Sequence, residues 1–116
     1  MRDVLLQCSG IAAILIALIH GLLGETKVFA HASIEPPRLR TLIRLVWQAS
    51  TVAWIGGGVL LLIAPRLDSS LARHWIVVTL AVVFGFAAFA NALATRGRHF
   101  GWVGMSAVVA LAVAGY

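Results

Sequence analysis

Three of the four histidines in this sequence, His20, His31 and His99, stand near matching ends of its apolar stretches. Glu25, Glu35, Arg40, Arg44, Gln48 and Asn91 gather in the same neighbourhoods. Ala13, Ala17, His20, Gly24, Lys27 and His31 are three or four residues apart, which places them on one face of a helix. Arg40, Arg44, Gln48 and Thr51 share a face of the next helix by the same rule. Antiparallel neighbours joined by a single loop would bring these faces together. At 1.5 Å of rise per residue, His20 lies about 5 Å inside the first apolar run and Gln48 about 9 Å inside the second.

Polar groups at such depth are costly in a membrane and often functional. The plainer alternative is topological: Arg44 snorkels to headgroups, and His20 needs only a hydrogen bond from Gln48 or a backbone carbonyl. His20, Glu25, His31 and His99 are suitable metal ligands, but no tight His-x3-His or His-x-x-Glu pair falls on one face. A haem would need two histidines facing each other across a bundle, and none stands mid-run. Cys8 is the only cysteine, which excludes an intrachain disulfide and a cysteine metal centre and leaves a small buried or lipid-facing thiol. Ser9, Ser50 and Ser106 sit in apolar surroundings and are expected to lack partners, so no nucleophile, base and orienting group form a set. No metal or cofactor is expected, and the chain does not read as an enzyme.

Four elements must position these side chains. Apolar residues make up 61% of the 116 and charged residues 11%, against roughly 25% in ordinary soluble domains. The apolar residues are bunched into four runs, 4–23, 42–64, 75–94 and 100–116, with few polar interruptions. About 20 helical residues cross a hydrocarbon core of about 30 Å; the first three runs meet that length and the fourth sits at its lower edge. The expected fold class is therefore all-α: an integral membrane bundle of four transmembrane helices forming one domain over 1–116. Four buried helices of a soluble globule would leave almost nothing for a polar surface. Pro37 suits the first turn of the second helix, and the first helix can continue past Gly24. The first run reads as a retained helix, because Ala30-His31-Ala32 lies well past the apolar stretch and the amino end is barely positive.

The net charge of +5 belongs to loops, since no soluble domain is left to carry a basic face for nucleic acid. Lys27, Arg38, Arg40, Arg44, Arg96 and Arg98 fall on one side of the bundle, and Arg2, Arg66 and Arg73 on the other. By the positive-inside rule, loops one and three are cytoplasmic and both termini periplasmic, in a bacterial inner membrane. Trp47, Phe100 and Trp102 mark one interface, and Trp75 and Tyr116 the other. Small residues stand four apart in each helix: Ser9, Ala13, Ala17 and Gly21; Ala49, Ala53 and Gly57; Ala81 and Gly85; Ser106, Ala110 and Ala114. Such seams predict close helix packing and a surface for self-association, although an alanine-rich chain also produces them by chance. Gly56-Gly57-Gly58 reads as close packing or as a hinge.

Three stretches carry a resemblance: His20-Gly21-Leu22-Leu23-Gly24-Glu25, Arg44-Leu45-Val46-Trp47-Gln48, and Gly97-Arg98-His99-Phe100-Gly101-Trp102. Together they resemble a group of small bacterial four-helix membrane proteins in which His-x-x-x-Gly-Glu closes helix one. Many members of that group carry histidine after the tryptophan, where this chain has Gln48, so a titrating role at that position is not expected. The resemblance implies membrane class and a polar cytoplasmic cluster, and no activity. In size the chain is also similar to the small multidrug resistance exporters, but their glutamate inside helix one has no counterpart in run 4–23. The expected function is that of an accessory or ligand-binding subunit, with lipid, a second copy or another membrane protein as partner. His20, Glu25, His31, Arg40, Arg44, Gln48, Asn91 and His99 are its candidate site. The alternative is an oligomeric transporter or channel in which His20 and Glu25 handle protons or ions.

Overall fold

A computed structural model describes all 116 residues, and the protein is all-α with no strand. Helix α1 spans Arg2–Leu23, with Asp3 in its first turn, where an acid complements the helix dipole. It runs on through a wide π-helical turn, Gly24–Val28, into the short α2, Phe29–His31. The second helix, α3 (Pro37–Ile63), starts at the expected proline and passes into a 3-10 turn, Ala64–Arg66. Helix α4 occupies Ser70–Thr95; the Ser69 hydroxyl accepts the Ala72 N–H at 3.1 Å and so begins the helix ahead of Trp75. It ends on two left-handed residues, Arg96 and Gly97, whose turn returns the Gly97 N–H to the Ala92 carbonyl at 2.8 Å. Helix α5 covers Gly101–Ala114.

Three helical bodies are long and apolar enough to cross a membrane: Arg2–His31, Pro37–Arg66 and Ser70–Thr95. The fourth is shorter than its apolar run. Its 14 residues rise only about 21 Å. The turn after Thr95 consumes the residues up to Phe100, and Gly115 closes the far end.

Helix α1 is the centre of the bundle. It packs along α3 on one flank and α5 on the other, and α4 lies against α5. The seam Ser9, Ala13, Ala17 and Gly21 is buried throughout, as its spacing predicts. Backbones touch where Gly10 meets Gly58: a Cβ on Gly58 would lie 2.8 Å from the Gly10 carbonyl oxygen. The other predicted seams face inward only in part: Gly57 is buried and Ala81 and Gly85 are half-buried, whereas Ala49, Ala53, Ser106, Ala110 and Ala114 are exposed. Helices α3 and α5 otherwise bury Thr51, Gly58, Leu61, Met105, Val108 and Ala112. The helix runs unbroken through Gly56-Gly57-Gly58, without a hinge.

Helices α3 and α4 follow each other in sequence yet meet only briefly. Their contact lies toward the loop between them, where Trp54 approaches Phe84 at 5.8 Å between ring centroids. Beyond it they diverge, and a cleft opens at the end that holds the histidines.

Candidate ligand-binding cleft

The residues expected to form one polar cluster divide into two groups on opposite sides of the α1–α3 contact. The first is a clamp. Gln48 donates to the Gly21 carbonyl at 3.1 Å and to Glu25 Oε1 at 2.9 Å. Arg44 Nε lies 3.0 Å from both Glu25 oxygens and Nη2 2.6 Å from Oε2, a two-pronged pair of the kind guanidinium favours. Arg40 donates to the Phe29 carbonyl, so the basic face of α3 holds the continuation of α1 at three levels. Glu25 lies past the apolar run, and the Arg44 guanidinium, with the Gln48 amide second, holds its carboxyl below the usual value. His31 stays outside both groups, its Nδ1 bonded to Lys27 O one turn back.

The second group is built on Trp47. Its indole N–H donates to the His20 carbonyl at 2.9 Å. The ring stacks on the His20 imidazole at 4.3 Å and 7°, and Phe29 meets it edge-on at 5.7 Å. Gly24 lies directly beneath: a Cβ there would overlap the indole, 2.6 Å from Cδ1. Trp54 closes the other side of His20, with centroids 4.5 Å apart. The sequence marks Trp47 as an interface residue; its place here is inside a helix–helix contact.

The hydrogen bonds fix the His20 tautomer. Ser50 Oγ lies 2.6 Å from the Trp47 carbonyl, and a hydroxyl and a carbonyl that close must share the hydroxyl proton. That proton is then spent, so the 2.9 Å contact between Ser50 Oγ and His20 Nε2 requires Nε2–H as donor. Neutral His20 therefore keeps a lone pair on Nδ1, which has no partner within the chain. Ser50 is thus not the isolated hydroxyl its surroundings suggest, and neither is Ser9, which donates to Val108 O at 2.7 Å.

Across the cleft, Asn91 and His99 organise the start of α5. Asn91 Oδ1 accepts the Trp102 N–H and His99 Nδ1 the Gly101 N–H, each at 3.0 Å. Since Nδ1 accepts, neutral His99 carries its proton on Nε2. Its ring stacks on Phe100 at 4.5 Å.

The cleft between these walls has a volume of about 480 Å³, within the roughly 300–1,000 Å³ typical of small-molecule sites. His20, Trp47 and Trp54 line one side, Asn91, His99 and Phe100 the other, and no Asp, Glu, Lys or Arg reaches it. Glu25, Arg40, Arg44 and Gln48 lie outside. No buried side-chain polar atom lacks a partner, so the free edges of the two imidazoles are accessible and not sealed. No three His, Cys, Asp or Glu side chains are grouped to hold a metal ion. Sequence reasoning missed Trp54 as a wall residue and Ser50 as the partner of His20, although Trp47, Ser50 and Trp54 stand at the three-four spacing that signals one face.

No known protein family, curated protein or solved structure matches this chain.

Proposed function

We propose that this chain is an integral protein of the bacterial inner membrane, spanning it four times with loops one and three in the cytoplasm, and that it is a non-enzymatic accessory subunit that binds a small ligand drawn from the bilayer. Three span-length apolar helices support membrane insertion. So does the inverted polarity of the fold: only 21 of 116 residues are buried, while leucines, valines and phenylalanines are exposed along every helix. The short α5 crosses by locally thinning the bilayer or by tucking against its neighbours. The groove between α4 and α5, lined by Gly85, Ala88, Ala92, Ser106 and Ala110, is the face available to a second copy or another membrane protein. A reporter that fluoresces only in the cytoplasm stays dark when fused after Tyr116; fluorescence there overturns the orientation.

The observation that carries the binding role is His20, held between two indoles with one ring nitrogen unpartnered in a cleft free of Asp, Glu, Lys and Arg. Proton or ion handling through Glu25 would have to break its pair with Arg44 and its hydrogen bond from Gln48. Native mass spectrometry of protein extracted from membranes tests the binding role. A small-molecule adduct is expected on the wild type and absent from Ala90→Phe, which fills the cleft from an exposed position. Identical spectra for the two proteins overturn it.

A further inference from the structure

The cleft's lining specifies its occupant more narrowly than its volume does. With no Asp, Glu, Lys or Arg in the walls, a charged headgroup would be desolvated without a partner, which is strongly unfavourable. A saturated acyl chain would cover both free imidazole edges and satisfy neither. The aromatic walls, with His20 against Trp47 and Trp54 and His99 against Phe100, favour a planar ring over an alkyl chain.

The two tautomers add directionality. His20 offers an acceptor at Nδ1, because Nε2–H is committed to Ser50. His99 offers a donor at Nε2, because Nδ1 takes the Gly101 N–H. A ring that serves both edges must donate one hydrogen bond and accept another. A phenolic hydroxyl does both; a quinone carbonyl only accepts, and would leave His20 without a partner.

Building on the cleft as the ligand site, we propose that it binds the neutral hydroxylated ring of a membrane quinol, in preference to the oxidised quinone. The ring lies against these aromatic walls, one hydroxyl donates to His20, an oxygen accepts from His99, and the tail leaves between α3 and α4 into lipid. The proposal concerns binding alone and includes no electron transfer.

The test uses the full chain in lipid nanodiscs and reads tryptophan quenching under argon. The probes are a decyl-substituted benzoquinol, its quinone, and a phospholipid with brominated acyl chains. The wild type is expected to show saturable quenching with quinol binding about tenfold tighter than quinone, the worth of roughly one hydrogen bond. Ala90→Phe should lose this binding. His99→Asn keeps an acceptor for the Gly101 N–H but withdraws the Nε2 donor, and should weaken quinol binding about tenfold. If that variant misfolds by circular dichroism, Ala90→Phe alone decides, since position 90 is exposed. Equal affinity for quinol and quinone overturns the proposal. Saturable quenching by the brominated lipid alone, abolished in Ala90→Phe, also overturns it while leaving the cleft as a ligand site. If no probe distinguishes the wild type from Ala90→Phe, both the quinol and the binding role fall.

Discussion

Trp47 holds its place by donating to the His20 carbonyl, stacking on the His20 ring and covering Gly24, so a small change beneath it should propagate into the cleft. Gly24→Ala puts a methyl group into the indole and should destabilise by about 1–3 kcal/mol, the usual range for overpacking. Near-ultraviolet circular dichroism should register displacement of the tryptophan, and an unchanged spectrum and melting temperature would contradict this packing. Glu25 makes a pH prediction. Its carboxyl pKa is lowered in the fold, by Arg44 first and Gln48 second, so its contribution is present above the ordinary value of 4.5 and fades as pH falls through the lower folded one. Its partner is 49% exposed and the carboxylate side chain 37%, so solvent screens the pair and the contribution is small. Below pH 4.5, melting temperature should fall less steeply in Glu25→Gln than in the wild type. The sequence located these side chains at one end but could not divide them. Adjacent helical positions differ by about 100°, so Gly21 and Glu25 turn toward Gln48 while His20 swings round to Ser50 and Trp54. Only the crossing of α1 and α3 determines which angle becomes cleft.

At the scale of elements, the α1–α3 contact depends on glycines where backbones touch. Gly58→Leu would drive a side chain into the Gly10 carbonyl and Ile14 and should separate the helices, costing more than about 3 kcal/mol. Gly56→Ala meets nothing within 4 Å and should be neutral or stabilising by up to about 1 kcal/mol, through lower backbone entropy in the unfolded chain. Thermal melts in detergent compare the two, and equal effects would refute the asymmetry. Spacing in the sequence identified the α1 seam because α1 is flanked by helices on both sides and needs small residues to admit them. In α3 only Gly57 of the spaced residues is buried and in α5 none is, since alanines are numerous enough to form such runs on outward faces as well. The length of α5 was also not legible, because the cost of the turn before it depends on Asn91 and His99 capping its first residues.

For the whole molecule, the all-α class and three long apolar helices follow from composition and run length alone, the strongest signals the sequence carries. The arrangement α3–α1–α5–α4 does not follow, because the sequential pair α3 and α4 hardly touch. Cys8 tests insertion at this scale. It is exposed on α1 within an apolar run, so a membrane-impermeant maleimide should fail to label it in sealed or opened vesicles and succeed after denaturation in SDS. Rapid labelling of native vesicles would place that face in water. The contact between Ser9 and the Val108 carbonyl spans 99 positions of sequence. A ribosome finishes α1 before α3, α4 or α5 exists, and one flank of its seam has no neighbour until α5 emerges. The newborn first helix must therefore wait for the last one to close the bundle.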